Sequence, residues 1–497
     1  MNLALLSHEW LVLALAIGLL LVDLWAPPRA RRNLGYVAAA GILAIFLYSV
    51  FFVRIAAQPD AVPSAFNNMY LLDGLALFFK RFFLLAALLV LLMSVEFAER
   101  IQAGIAEFYA VILLALMGML FACSVNNFAL LFVSLELITV SFYVLTSFER
   151  ARTTSLEAGV KYLIIGALST GFTVFGIALV YGISGKLDFG DLAAVTSQHS
   201  DNHIFLFGLL LVMVGLGFKI AAFPFQIWAP DVYQGAPTPA TAFLAVGSKA
   251  AGFVLLLRVL FLAVPAITVQ WSKLLIVTSA ITILYGNLCA IPQRNVKRLL
   301  GYSSIAHAGY MLLGLAAMAA GISNTGEGIG AGGSAILYYL SGYLFTVLGA
   351  FTVICLVMRQ ADGEDVSTLA GLGQRSPLLA ATMTLSMVSL AGIPPMAGFF
   401  GKFLLIKAAL GQAQGPVQNA FYVLVAIAIA GVVMSLYYYF GIVRAIYWSR
   451  QVPDSSPIPM SRPIRLSLCV CIAGMLFLGI YPNPVLNLAS QAIKALH

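Results

Sequence analysis

Charge is scarce in this sequence: 9% of its 497 residues are Asp, Glu, Lys or Arg, against 62% hydrophobic. A soluble domain carries about a quarter charged residues, so a polytopic membrane protein is implied. Long hydrophilic stretches are missing too. The two longest, around 185–203 and 359–376, are too short to fold alone, which leaves no room for a soluble catalytic module. Cysteine is sparse, and Cys123, Cys289, Cys355, Cys469 and Cys471 show neither iron–sulfur nor zinc spacing. No basic stripe with interleaved aromatics accompanies the net charge of +8, so nucleic acid is excluded as a partner and the excess reads as topological. Gly328-Ile-Gly330-Ala-Gly-Gly333 matches G-x-G-x-x-G in spacing, but no strand precedes it. It is expected in an outward loop, without a dinucleotide.

Apolar runs fill the rest. The fold class is an all-α polytopic membrane protein with about fourteen transmembrane helices. They are predicted at 5–26, 35–57, 71–96, 104–123, 126–148, 156–184, 204–230, 238–263, 274–291, 297–320, 334–358, 377–411, 418–448 and 464–486. The first run lacks a basic leader and reads as a span, not a cleaved signal. Pro224 breaks the seventh helix and "GIPPMAG" (Gly392 to Gly398) the twelfth. Alternate loops sort by charge. One set holds Arg31, Arg32, Arg100, Arg152, Arg298, Arg375 and Arg450 among others, and the opposite set little beyond Lys186, Lys273 and Lys494. The first set is therefore expected in the cytoplasm and both termini on the periplasmic side of a bacterial inner membrane.

An internal repeat is expected from spacing. His307 follows Glu136 by 171 positions (307 − 136), and Pro395 follows Pro224 by the same interval (395 − 224). The predicted organisation is three N-terminal helices in 1–100, a five-helix repeat in 104–263, a second and inverted copy in 274–448, and a last helix in 464–497. An odd number of helices per copy forces the inversion. Interrupted helices at matching positions are a transporter signature.

Six ionisable groups lie at membrane depth. Glu136 is about ten residues into its helix, roughly 15 Å at 1.5 Å per residue. His307 and Lys249 are as deep, and Lys161, Lys219 and Lys402 complete the set. A charge at such depth costs a few kcal/mol unless paired or hydrated. Burial discharges lysine while an adjacent carboxylate restores its charge, so a Glu136–Lys219 pair reads as a switch, with Lys249, His307 and Lys402 passing the proton on. The competing readings are structural: ion pairs for Glu136, Lys219 and Lys249, a satisfied core imidazole for His307, and snorkelling for Lys161 and Lys402. Lys407 and Arg258 are expected to snorkel. Asp73 is expected to pair locally with Lys80 or Arg81, and Tyr302, Ser303 and Tyr310 to support a water chain.

"FKIAAFPFQIWAPDVYQGAPTPATAFLAVGSKAAGF", "RNVKRLLGYSSIAHAGYMLLG" and "SLAGIPPMAGFFGKFLLIKAAL" resemble the antiporter-like, proton-translocating membrane subunits of respiratory complex I (NADH-quinone oxidoreductase). Within that family the similarity is to the subunit N branch, the bacterial counterpart of mitochondrial subunit 2. Lys402 in "GFFGKF" stands where subunit M-like chains tend to carry glutamate, and no long lateral helix of the subunit L type follows the bundle. The resemblance implies a fourteen-helix fold with inverted five-helix repeats. It implies a proton path through Glu136, Lys219, Lys249 and Lys402, with Lys161 and His307 as intermediate relays. It further implies that FMN, iron–sulfur clusters and quinone belong to other subunits and none to this chain. The expected neighbours are subunits K, J and M, the lateral helix of subunit L, and the lipid bilayer. Two other expectations share the architecture: a subunit of a multi-subunit sodium/proton antiporter, and a complex I-like enzyme with another electron donor.

Overall fold

The computed structural model describes residues 3–54, 62–324, 327–360, 363–414, 417–448 and 456–496; Arg450 lies outside them. The spans are α1 (Ser7–Asp23), α2 (Leu34–Phe51), α3 (Gly74–Phe97), α4 (Ile105–Ala122), α5 (Phe128–Thr146) and α6 (Thr153–Ser184). A broken span follows as α7 (His203–Ile220) and α8 (Trp228–Gly235), then α9 (Thr238–Ala263), α10 (Pro265–Ala290), α11 (Val296–Asn324) and α12 (Glu327–Gln360). A second broken span, α13 (Pro377–Ala391) and α14 (Ala397–Gly411), precedes α15 (Gln418–Trp448), α16 (Arg462–Ile480) and α17 (Asn483–Ile493). Thirteen described helices are long and apolar enough to cross a membrane, and the α13–α14 span brings the crossings to the fourteen expected.

Local chemistry sets many of these ends. Asp73 caps α3 by accepting from Ala76 N at 2.7 Å, Asn127 caps α5 through Ala129 N at 2.8 Å, and Asn202 caps α7 through Ile204 N and Phe205 N. Between α2 and α3 lies a small hairpin of β1 (Ser64–Ala65) and β2 (Tyr70–Leu71), turned through Phe66, Asn67 and Asn68 at positive φ. Nothing in the sequence pattern announces it, because two-residue strands leave no period-two signal.

The two breaks share one backbone pattern. Ala221, in the left-handed region, donates to Gly217 O and Phe218 O, and Ala222 donates to Gly217 O. Gly392 likewise donates to Val388 O and Ser389 O, and Ile393 to Val388 O, each partner 171 positions on (217 to 388, 221 to 392). Two isolated bridges also correspond: Asn127 with Asp188 before α5, and Asn295 with Asp365 before α11.

Packing separates core from rim. The apolar window of α9 is entirely buried and that of α11 94% buried, whereas α6 buries only 28% of its window, so α6 faces lipid or a partner. Gly176 and Gly208 let α6 and α7 touch: a Cβ on Gly176 would stand 2.5 Å from Gly208 O.

Two expectations are corrected. The Gly328–Gly333 stretch lies in the opening turns of α12, not in a loop. The last predicted helix ends at Ile480, and α17 is a separate element whose Ala492 packs on Gly74 at the start of α3. The eighth predicted helix keeps its bounds of 238–263, and Leu244–Ser248 and Val259–Ala263 wind within it as π-turns.

Candidate functional site

Glu136 is half-buried on α5, and its Oε1 accepts a hydrogen bond from Thr170 Oγ1 of α6 at 2.7 Å. Thr139, one turn on, takes the Lys219 ammonium at 2.8 Å. Among the described residues the ion pairs do not include Glu136 with Lys219, so the expected direct pair is replaced by two threonine-held groups. Both groups line one polar cavity with Thr139, Ser169, Thr170 and Thr173, which has space for about one water. Lys219 sits in the last turn of α7, two residues before the left-handed Ala221. Trp228 Nε1 adds a second donor to the Phe218 carbonyl at that break, at 3.1 Å.

From Lys219 the site runs inward. Gly252 of α9 stands against the Lys219 turn of α7: a Cβ added to it would lie 2.7 Å from Ile220 Cγ2 and 3.4 Å from Lys219 Cβ, so a glycine is what lets the two helices approach so closely. Lys249, one turn before it and directly after the first π-turn, donates to Ser304 O at 2.5 Å and to Ser304 Oγ. Extra residues in a helix often mark functional positions. Ser304 Oγ also meets the Tyr233 hydroxyl at 2.9 Å and accepts from Tyr343 at 3.0 Å. Ser303 reaches Tyr439 at 2.5 Å, and that hydroxyl lies 3.0 Å from His307 Nε2, while His307 Nδ1 bonds the Tyr339 hydroxyl. Tyr310 lies beside His307 at 6.1 Å between centroids, and the Lys402 ammonium lies 5.0 Å from the Tyr310 ring. Lys402 itself donates to Leu390 O at 2.7 Å and Ala391 O at 3.2 Å, the carbonyls freed where α13 breaks. A second small cavity is lined by Tyr233, Ser303, Tyr343 and Leu390.

Lys161 stands apart from the buried line. It is 41% exposed and pairs with Glu157 at 2.6 Å and Asp231 at 2.7 Å, and Asp231 also takes Arg298 at 2.5 Å. The Tyr302 ring lies under the Arg298 guanidinium, whose carbon stands 5.8 Å from the ring centroid. Sequence reading missed Asp231, Tyr339, Tyr343 and Tyr439. A buried tyrosine looks like packing until its hydroxyl partner is seen.

A family model described as NADH:quinone oxidoreductase/Mrp antiporter matches residues 125–435. NADH-quinone oxidoreductase subunit N of Trichlorobacter lovleyi is 39% identical, covering 99% of this chain and 97% of that protein. The chain belongs to the NADH-quinone oxidoreductase subunit N family. A chain of respiratory complex I from Thermus thermophilus with bound aureothin superposes with a TM-score of 0.78 at 30% identity, over 97% of this chain and 99% of that one. A chain of the Mrp complex from a Dietzia strain reaches 0.78 at only 20% identity, over 100% and 98%, which shows the shared fold alone. Subunit N membership places the chain in the membrane arm of a proton-translocating complex, and the closeness of whole-chain relatives sets the antiporter expectation aside.

Proposed function

We propose that this chain, a membrane-arm subunit of a proton-translocating NADH-quinone oxidoreductase, moves protons through Glu136, Lys219, Lys249, His307 and Lys402. The observation that carries the reading is the row of buried basic groups across the α7 and α13 breaks. Lys219, Lys249 and Lys402 are each at most 4% exposed, and among the described residues none has a carboxylate partner. An unpaired buried ammonium is costly, so each lysine is poised to release its proton when the local field changes. Glu136 supplies that field. Half-buried on the outer face of α5, it is open to a neighbouring subunit, and its charge acts on Lys219 across the shared cavity. Lys161, with Asp231 and Arg298, acts as an intermediate relay at the rim.

The matched hydrogen bonds at the two breaks and the paired bridges at Asn127 and Asn295 support two inverted five-helix repeats over 104–263 and 274–448. The basic loop set supports a cytoplasmic assignment for that side and periplasmic termini in the inner membrane. The apolar outer face of α6, with Val160, Ile164, Leu168 and Phe175 exposed, supports contact with lipid or with another subunit. We assign the neighbours as K, J and M, with the lateral helix of L along the flank, and FMN, iron–sulfur clusters and quinone to other subunits.

NADH-driven acidification of inverted membrane vesicles tests the reading. Lys219→Ala in a fully assembled complex should lose acidification, because the titrating group is gone. Intact acidification in that variant would remove Lys219 from the path.

A further inference from the structure

A second buried polar cluster lies away from the α7–α14 line, at the end of the bundle where α1 and α3 begin and α9 ends. Lys80 on α3 is fully buried and donates to Glu9 Oε1 of α1 and to the Tyr70 hydroxyl at 2.6 Å. Tyr70, presented by β2, in turn donates to Glu9 Oε1 at 3.1 Å. The other carboxylate oxygen, Glu9 Oε2, is buried without a partner, and so are both ring nitrogens of the neighbouring His8. Ser49 Oγ, on the turn of α2 that Arg81 reaches through Ser49 O, is unpartnered too. Buried polar atoms are rarely left unmet, and several orphans in one place are what internal water satisfies.

The cluster continues toward the proton line. One turn before Lys80, Ala76 O accepts from Cys123 Sγ, and Cys123 O accepts from Arg258 Nε of α9 at 2.8 Å. Arg258 also holds both carboxylate oxygens of Asp73, at 2.8 and 2.9 Å, and leaves Nη1 unpartnered. Arg258 lies nine residues beyond Lys249 on the same helix, roughly 14 Å at 1.5 Å per residue.

We propose that Glu9, Lys80, Tyr70 and His8 form a hydrated proton-transfer site at the outward end of the bundle, receiving protons that leave the Lys249 region. The exchange balances. The Lys80 ammonium gives a proton to the Glu9 carboxylate, Glu9 releases it to outward water, and a proton arriving along the Arg258 side restores the ammonium. Both groups are neutral after the transfer, and if the arriving proton recharges Lys80 as Glu9 releases its own, no carboxylate is left buried without its ammonium. The direction of this exchange rests on the relay proposed for Lys219 and Lys249.

The test compares assembled complexes carrying Glu9→Gln with Lys80→Met, Glu9→Asp, and Lys219→Ala. Paired neutralisation keeps the packing and strands no charge, so a merely structural ion pair would lose nothing. The expected result is an assembled Glu9→Gln/Lys80→Met complex whose NADH-driven acidification falls toward that of Lys219→Ala, with Glu9→Asp retaining most of it. Infrared difference spectra should also lose the band of a protonated carboxyl in the paired variant. Wild-type acidification in the paired variant, alongside loss in Lys219→Ala, would overturn the proposal alone. Full acidification in both would sink the relay reading as well. If the Glu9 variants fail to assemble, His8→Leu carries the test, since it leaves the Lys80–Glu9 contact and removes two water-holding nitrogens. Lower acidification is then expected, and an unchanged rate would overturn the site.

Discussion

Lys219 and Glu136 share a cavity but are separated by Thr139, whose hydroxyl takes the ammonium at 2.8 Å one turn from the carboxylate. In the proposed relay the pair is coupled across that water-sized space, since Thr139 bonds Lys219 and Leu135 O while Glu136 is held by Thr170. A direct contact would lock the lysine in its charged form, whereas a neutral threonine partner would leave it responsive to a change at Glu136 in the proposed relay.

Replacing Thr139 with valine should therefore weaken coupling without removing the titrating group. A hydrogen bond to a charged donor contributes about 1.5–3 kcal/mol. NADH-driven acidification should fall in Thr139→Val, but less than in Lys219→Ala. A variant as active as wild type would show that the threonine only packs.

The His307 imidazole is bonded at both nitrogens, to Tyr339 and Tyr439. Tyr439→Phe removes a hydroxyl that meets Ser303 and His307 together, and should lower pumping more than His307→Ala, where water can fill the space left by the ring. Vesicle acidification at matched complex content measures both. The reverse order would make the imidazole itself the indispensable carrier.

Arg258 and Asp73 tie the end of α9 to the start of α3 in a fully buried pair. Asp73→Ala strands the guanidinium and should destabilise the protein by about 3–5 kcal/mol, while Asp73→Leu with Arg258→Met recovers most of the loss. Thermal unfolding of the purified complex in detergent, followed at this subunit, reports both. Equal loss in the double variant would mean that the shape of the pair matters more than its charge.

In the loop after α12, Glu364 ties that loop to the starts of α6 and α11, accepting from Arg152 at 3.1 Å, Lys297 at 3.3 Å and Asn295 at 3.2 Å. Burial pushes its carboxyl up, but Lys297, Arg152 and Asn295 outweigh it and hold it below the usual carboxylate range. A depressed value in the folded state means that the stabilisation is complete above the unfolded carboxylate value. It is lost as the pH falls through the folded one. Stability should accordingly decline on acidification below the ordinary glutamate range, and Glu364→Gln should flatten that decline while lowering stability at neutral pH. Unfolding temperatures measured across the acid range check the sign.

Much of this protein was legible in the sequence because the bilayer is a severe solvent. Twenty-residue apolar runs must be helices, since no water is there to satisfy an exposed backbone, so the fourteen crossings and both breaks followed from composition and proline alone. The same severity made Glu136, Lys219, Lys249, His307 and Lys402 conspicuous, because a charge at that depth needs a reason.

Partners were another matter. Arg258 was expected to snorkel and is fully buried on Asp73, 185 positions away, while Lys80 passes over Asp73 for Glu9. Sequence spacing sees only neighbours on one helix. Which helices meet, and at what height, is set by small residues such as Gly176, Gly208 and Gly252 that admit a second backbone. The π-turn before Lys249 rotates the residues after it relative to an unbroken helix, and no periodicity announces it. The sequence alone determined which groups are buried and where the helices fail. Only the tertiary structure decided which of those groups face one another, because that depends on helix contacts too close and too distant in sequence for any local pattern to record.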